Sequence, residues 1–365
     1  MRASQISNYP ASSGSPNWFW SNAEADFTYT PAHLHTYTLP LMPFLLFLTS
    51  VLLFGYLTGV TDSANVVAPI ISSRALSPRR ALVLTVIATC LAPFIFGLAV
   101  ARTFGAGVII PQSVTLPIVT AATLSAVAWR GLTWQLGLPS SSSHALVGGL
   151  VGAALAGAGW QAVHPQSVTK VLIALFFSPI AGLFMGYLVT VLIYFLVQNA
   201  TPGVNLLFRG GQVLTGLALA LSWGANDAQK TIGLLALGLA VYRGERFTIP
   251  AWVTAVSTAA LALGALTGGW RLIRTLGMKF YRIRPVHGLA AQAAAAAVIF
   301  GAAFVGGPVS TTQVVSTAIL GAGAAERVNK VRWGVVSEIV WAWVLTIPAT
   351  SVMGAGLFVL LRRWL

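Results

Sequence analysis

Gly59-Val-Thr-Asp-Ser-Ala-Asn65 and Gly224-Ala-Asn-Asp-Ala-Gln-Lys230 are two versions of one phrase. Each places an aspartate, Asp62 or Asp227, three positions after a glycine at the end of an apolar run. A second pair follows in the same order: Leu138-Pro-Ser-Ser-Ser-Ser-His-Ala145 and Gly307-Pro-Val-Ser-Thr-Thr-Gln-Val314. The step from Pro139 to Pro308 nearly equals the step from Asp62 to Asp227. Between them, Ala101-Arg-Thr-Phe-Gly105 and Ile273-Arg-Thr-Leu-Gly277 correspond loosely. Two different motifs that recur in order at nearly one offset mark a tandem duplication. The expected halves are residues 39–204 and 205–365, behind a polar tail of residues 1–38.

Around these phrases the chain carries almost no charge. Of its 365 residues 56% are hydrophobic and 8% charged, with mean hydropathy +0.81. A soluble domain is nearer a quarter charged, so most of this chain has lipid as its solvent. Ala81–Ala101, Thr103–Trp129, Val171–Phe208 and Pro285–Ala325 contain no Asp, Glu, Lys or Arg. Each exceeds the roughly 20 residues that a helix needs to cross the hydrocarbon core. Leu41–Thr61, Phe247–Trp270 and Ile339–Leu361 also qualify. The short alternating segments of a β-barrel are missing. The expected fold is an all-α polytopic membrane protein of roughly 10–12 membrane segments, in two tandem repeats with broken helices and re-entrant hairpins. Leu132–Leu138 is too short to span alone and reads as one limb of such a hairpin.

The net charge is +14 and the pI about 10.9. The basic groups sit between apolar runs: Arg74, Arg79 and Arg80; Arg271, Arg274, Lys279, Arg282 and Arg284; Arg327, Lys330 and Arg332; Arg362 and Arg363. That placement sets membrane topology and leaves no separate basic face for nucleic acid. The tail has Glu24 and Asp26 against Arg2, while the first loop has three arginines, so the tail is expected outside and Arg74–Arg80 in the cytoplasm. The tail lacks a basic start with a nearby cleavage site and does not read as a signal peptide. Cys90 is the one cysteine and can form no intrachain disulfide.

Seven acids are present. Glu24 and Asp26 lie in the tail, Glu245 and Glu326 beside loop arginines, and Glu338 near a span end. Asp62 and Asp227 remain, in apolar surroundings and at matching repeat positions. A carboxylate at membrane depth costs several kcal/mol unless paired, which makes both functional candidates. The plainer alternative is that they cap broken helices. A carboxylate repels an anion, but it can bind a coupling Na⁺ or take a coupling proton. Thr61, Asn65, Asn226 and Gln229 supply neutral oxygens beside the acids, and Asp62 with Asn65 would suit Na⁺.

Pro139 and Pro308 should break helices, and Ser140–Ser143 and Ser310–Thr312 should cap the limbs that follow. A helix N-terminus offers free N–H groups and the positive dipole end, so two facing each other would bind a tetrahedral oxyanion. A plain polar turn is the alternative. Lys230 lies three positions after Asp227 on one helix face, where it could pair the acid, reach the anion or snorkel. His144 could titrate or be held structurally by hydrogen bonds. No nucleotide-binding loop or nucleophile motif points to an enzyme.

At these four motifs the chain resembles the inorganic phosphate transporter (PiT) family, in particular its bacterial low-affinity symporter branch. Thr58–Arg80 and Gly306–Phe358, with Ala342-Trp-Val-Leu-Thr-Ile-Pro-Ala349, fit as well. The resemblance covers about residues 40–365. It implies inverted repeats in the bacterial inner membrane and symport of phosphate, free or as a neutral metal–phosphate complex, with Na⁺ or H⁺. It implies cation- or proton-linked roles for Asp62, Asn65, Asn226 and Asp227. Ser141, Ser142, Ser143, Ser310, Thr311 and Thr312 would hold phosphate, joined by Lys230. The lipid bilayer and a second copy of the chain are the other expected partners, and no cofactor is expected. Thr61 stands where the family has Asn or His, and Gln313 where it has His. A sulfate permease of the same family, and an uncoupled anion channel, are the competing readings. Phosphate can donate a hydrogen bond to Asp62 or Asp227 and sulfate cannot, which favours phosphate.

Overall fold

Prolines and glycines punctuate the chain, and helices run between them. The computed structural model describes residues 41–108, 113–201, 203–268, 273, 284–330 and 333–364. The polar tail and most of the basic segment around Lys279 lie outside these residues. Pro78, Pro117, Pro165 and Pro285 stand in the first turns of helices, where the missing N–H costs nothing. Gly137 and Gly244 end helices in the left-handed conformation, at φ 70° and 65°, which a Cβ disfavours.

The helices are α1 (Leu41–Ser72), α2 (Pro78–Phe96), the short α3 (Ala99–Arg102), α4 (Leu116–Leu136), α5 (Ser142–Ala158) and α6 (Pro165–Leu196). Then come α7 (Val204–Trp223), α8 (Gln229–Arg243), α9 (Ala251–Thr267), α10 (Pro285–Phe304), α11 (Thr311–Glu326) and α12 (Trp333–Leu361). A π-type turn, Gly224–Ala228, joins α7 to α8 without interrupting the rod. No strand occurs among the described residues. Among the described residues, six segments are long and apolar enough to cross a bilayer: α1, α2, α6, the continuous Val204–Arg243, α10 and most of α12. Phe176, Phe177, Ile180 and Phe184 lie exposed along α6, a stripe that suits lipid.

Packing is reciprocal between the two parts of the chain. Helix α5 lies along α12, and α11 lies along α6; α4 also meets α12, and α10 meets α6. Helix α1 packs on α9, and α7 on α2. A buried bond joins Ser50 to Thr123 at 2.7 Å, and a partly buried one joins Thr215 to Gln292 at 3.0 Å. These bonds occupy matching places in the duplication. Thr215 follows Ser50 by the step that separates the two aspartates, and Gln292 follows Thr123 by the step that separates Pro139 from Pro308.

Two expectations change. Leu132–Leu138 is no separate limb: it begins as the end of the 21-residue α4, which runs to Leu136, and Gly137 closes that helix. Arg130 inside that helix does not end it, because its charge is paired with Asp62 within the protein. Nor do the acids cap broken helices: Asp62 lies inside the unbroken 32-residue α1, and Asp227 lies in the π-type turn within the continuous Val204–Arg243.

Candidate functional site

Both Pro-hydroxyl segments are sharp reversals inside the helix bundle. After α4 the chain turns at Gly137–Ser141 into α5, and after α10 it turns at Val305–Ser310 into α11. Ser141 Oγ accepts the His144 N–H at 3.2 Å, and Ser310 Oγ accepts the Gln313 N–H at 3.4 Å. These are N-caps, which satisfy donors that the first helical turn leaves free. Ser141, Ser142, Ser143, Ser310, Thr311 and Thr312 are all buried. The two reversals touch: Ser143 Oγ donates to Val309 O at 2.9 Å. Trp343 on α12 donates to Pro139 O at 2.9 Å and Trp129 on α4 to Ser140 Oγ at 3.1 Å, which fixes the first tip.

Each acid meets the reversal from the other part of the chain. Asp62 Oδ1 accepts from Thr312 Oγ1 at 3.3 Å, and Asn65 Nδ2 donates to the same Thr312 oxygen at 3.0 Å. Asp227 Oδ1 accepts from Ser142 Oγ at 3.2 Å, and Asn226 Nδ2 donates to Gly307 O at 3.3 Å. Each acid also has its own cation. Arg130 Nη2 sits 2.8 Å from Asp62 Oδ1 and also bonds Thr61 Oγ1. Lys230 Nζ bonds Asp227 Oδ1 and lies 3.5 Å from Ser142 Oγ. All four charged side chains are buried. Fully buried pairs of this kind persist only with close contact and added hydrogen bonds, and both pairs have them.

The site is therefore a buried, charge-balanced cluster between two helix N-termini at the meeting of the two parts. A family model described as the phosphate transporter family matches residues 58–204 and 197–354, which together take in both acids and both reversals. The chain belongs to the phosphate transporter family. It is 42% identical to a "probable low-affinity inorganic phosphate transporter" of Rhizobium meliloti, over 83% of this chain and 92% of that one. A protein of the same description from Bacillus subtilis is 36% identical over 85% of this chain and 95% of its own. The solved structure of a sodium-dependent phosphate transporter shares the fold, with a TM-score of 0.80 and 21% identity. That likeness covers 89% of this chain and 100% of the other.

In this phosphate transporter family member, most of the residues singled out from the sequence converge. Asp62, Asn65 and Thr312 gather at one end of the cluster, and Asp227, Asn226, Lys230 and Ser142 at the other. Gln229 does not join them. Its amide accepts from Ala101 N at 3.0 Å and donates to Gly97 O at 2.8 Å, tying α8 to the α2–α3 turn. His144 is buried, with Nδ1 2.7 Å from Ser141 Oγ and its ring edge-on to Phe176. Lys230 does not snorkel, since it is wholly buried on Asp227. Glu338 is exposed on α12.

Sequence reasoning missed Arg130, where it served only as the boundary between two charge-free runs. The signal was present. A lone arginine with Thr103–Trp129 on one side and Gly131–Thr169 on the other stands in as apolar a setting as either aspartate. The rule that flags an intramembrane acid flags such a base equally.

Proposed function

We propose that the chain is a secondary active transporter that carries inorganic phosphate across the bacterial cell membrane in symport with protons. The observation that supports this most is the double clamp. Two buried carboxylates from matching phrases are each held between a cation and the opposite reversal's helix N-terminus. Helix N-termini bind oxyanions, and acids beside them take up the coupling charge. Ser141–Ser143 and Ser310–Thr312, with Lys230 and the two helix ends, form the phosphate site in this reading. Residues 39–204 and 205–365 are its two inverted repeats; the reciprocal packing supports that division.

The cations argue for protons over sodium. Asp62 Oδ2 and Asn65 Oδ1 are free of protein partners and are oxygens that Na⁺ accepts. Yet Arg130 already sits on Asp62. A Na⁺ about 4 Å from that guanidinium meets roughly 4 kcal/mol of repulsion at an effective dielectric of about 20. Lys230 bars the second acid in the same way. A proton needs no such room. It can be taken by Asp62 as the pair opens, so that the loaded site reorients with less charge.

Uptake into proteoliposomes tests both parts. Labelled phosphate should accumulate with an inward proton gradient, exceed labelled sulfate, and ignore exchange of Na⁺ for K⁺. Strict Na⁺ dependence at fixed pH would overturn proton coupling and return Asp62 and Asn65 to a sodium site. Sulfate uptake without phosphate uptake would establish the sulfate reading.

A further inference from the structure

A narrow cleft opens beside Asp62, bounded by Asn65, Arg130, Pro139, Ser140 and Thr312. Arg130 commits one nitrogen, Nη2, to Asp62 and Thr61. Its Nε and Nη1 are buried and have no protein partner, on a side chain 1% exposed. Asp62 Oδ2 and Asn65 Oδ1 are also buried and unpartnered. A buried donor left unmade is costly, and a charged one more so. Four polar atoms of the residues that line the cleft, two charged N–H nitrogens and two oxygens, thus lack a hydrogen-bond partner in the protein.

A ligand that fits this set accepts on some oxygens and donates from another. Phosphate near neutral pH does both, because it keeps an O–H. With Nη2 held on Asp62, the planar guanidinium still aims N–H donors along its other edges, a fixed spread that a lysine ammonium lacks. Lys230 is less available, since it faces Asp227 and Ser142. Ile299 follows Arg130 by the step that separates Pro139 from Pro308, so α10 brings no counterpart.

We propose that Arg130 contacts the substrate directly: one of its partnerless N–H groups, on Nε or Nη1, donates to a phosphate oxygen, while a phosphate O–H donates to Asp62 Oδ2 or Asn65 Oδ1. The assignment rests on the phosphate reading above. It makes Arg130 a binding group and not only a counter-ion to Asp62.

Three variants separate those roles. Arg130→Lys keeps the charge on Asp62 but loses the separate donors at Nε and Nη1. Arg130→Gln removes the charge and those donors. The double variant Asp62→Asn/Arg130→Gln removes both charges and leaves none unpaired. Phosphate affinity of the detergent-purified full chain is measured by calorimetry, with a melting curve for each protein. Arg130→Lys should weaken phosphate binding about tenfold or more, and the double variant should stay as weak as Arg130→Gln. Wild-type affinity in Arg130→Lys, or its recovery in the double variant, would show a counter-ion only and overturn the proposal. If Arg130→Gln does not fold, the other two variants still decide. A wild-type chain that binds no phosphate would defeat the phosphate reading and this assignment together, whereas a failure confined to the variants defeats this assignment alone.

Discussion

Asp62 and Asp227 stand out because an acid in apolar sequence has so few explanations. Each is one half of a buried ion pair, so Asp62→Asn or Asp227→Asn strands a cation, at a cost of about 3–5 kcal/mol of stability. Both single variants are expected to lose concentrative phosphate uptake, read in proteoliposomes made from the monodisperse fraction. Wild-type accumulation by either would remove that acid from the mechanism. The hydroxyls act more gently. Ser142→Ala or Thr312→Ala removes one hydrogen bond in a desolvated site, about 1–3 kcal/mol, so the half-saturating phosphate concentration should rise about tenfold. Unchanged half-saturation in both would move the site elsewhere. The acids and hydroxyls were legible because a repeated phrase names its own important positions. Arg130 was not: it has no repeat partner, and a base between two apolar runs looks like the loop that separates them.

Among the elements, the reversals were readable and the helix lengths were not. Proline followed by a run of hydroxyl residues specifies a break and a cap, and Ser141 and Ser310 do cap. Composition cannot show that α4 continues past a charged residue, because that depends on where the charge finds its partner. Nor could it show that Asp62 lies in regular helix while its match, Asp227, lies in a π-type turn. The glycines that open the acidic phrases do have a visible reason. A Cβ on Gly59 would come within 2.7 Å of Ala265 N on α9, and one on Gly224 within 2.7 Å of Thr89 O on α2. Small residues let membrane helices approach this closely, and nothing else fits. Gly59→Val and Gly224→Val should each pry a helix pair apart, and overpacking of this kind costs about 1–3 kcal/mol or more. The expected result is a large loss of the monodisperse peak in fluorescence-detected size exclusion. A wild-type peak from both would mean the helices can part without harm.

The whole molecule is built so that neither part is complete by itself. Helix α5 finds its cover in α12 and α11 finds its cover in α6. Residues 1–200 expressed alone should therefore fail to accumulate, while co-expression with residues 201–365 should restore phosphate uptake, since the cut falls between Leu196 and Val204. Stable accumulation of the first fragment alone would contradict the shared core. In electrical terms the two internal ion pairs cancel, so the empty site has no net charge to move. Voltage does work only on displaced charge, about 2.3 kcal/mol per elementary charge per 100 mV. It should therefore have no hold on the return of the empty carrier. In liposomes clamped with K⁺ and valinomycin, any dependence of net uptake on potential then measures the cargo alone: the charge of the phosphate and of the protons that travel with it.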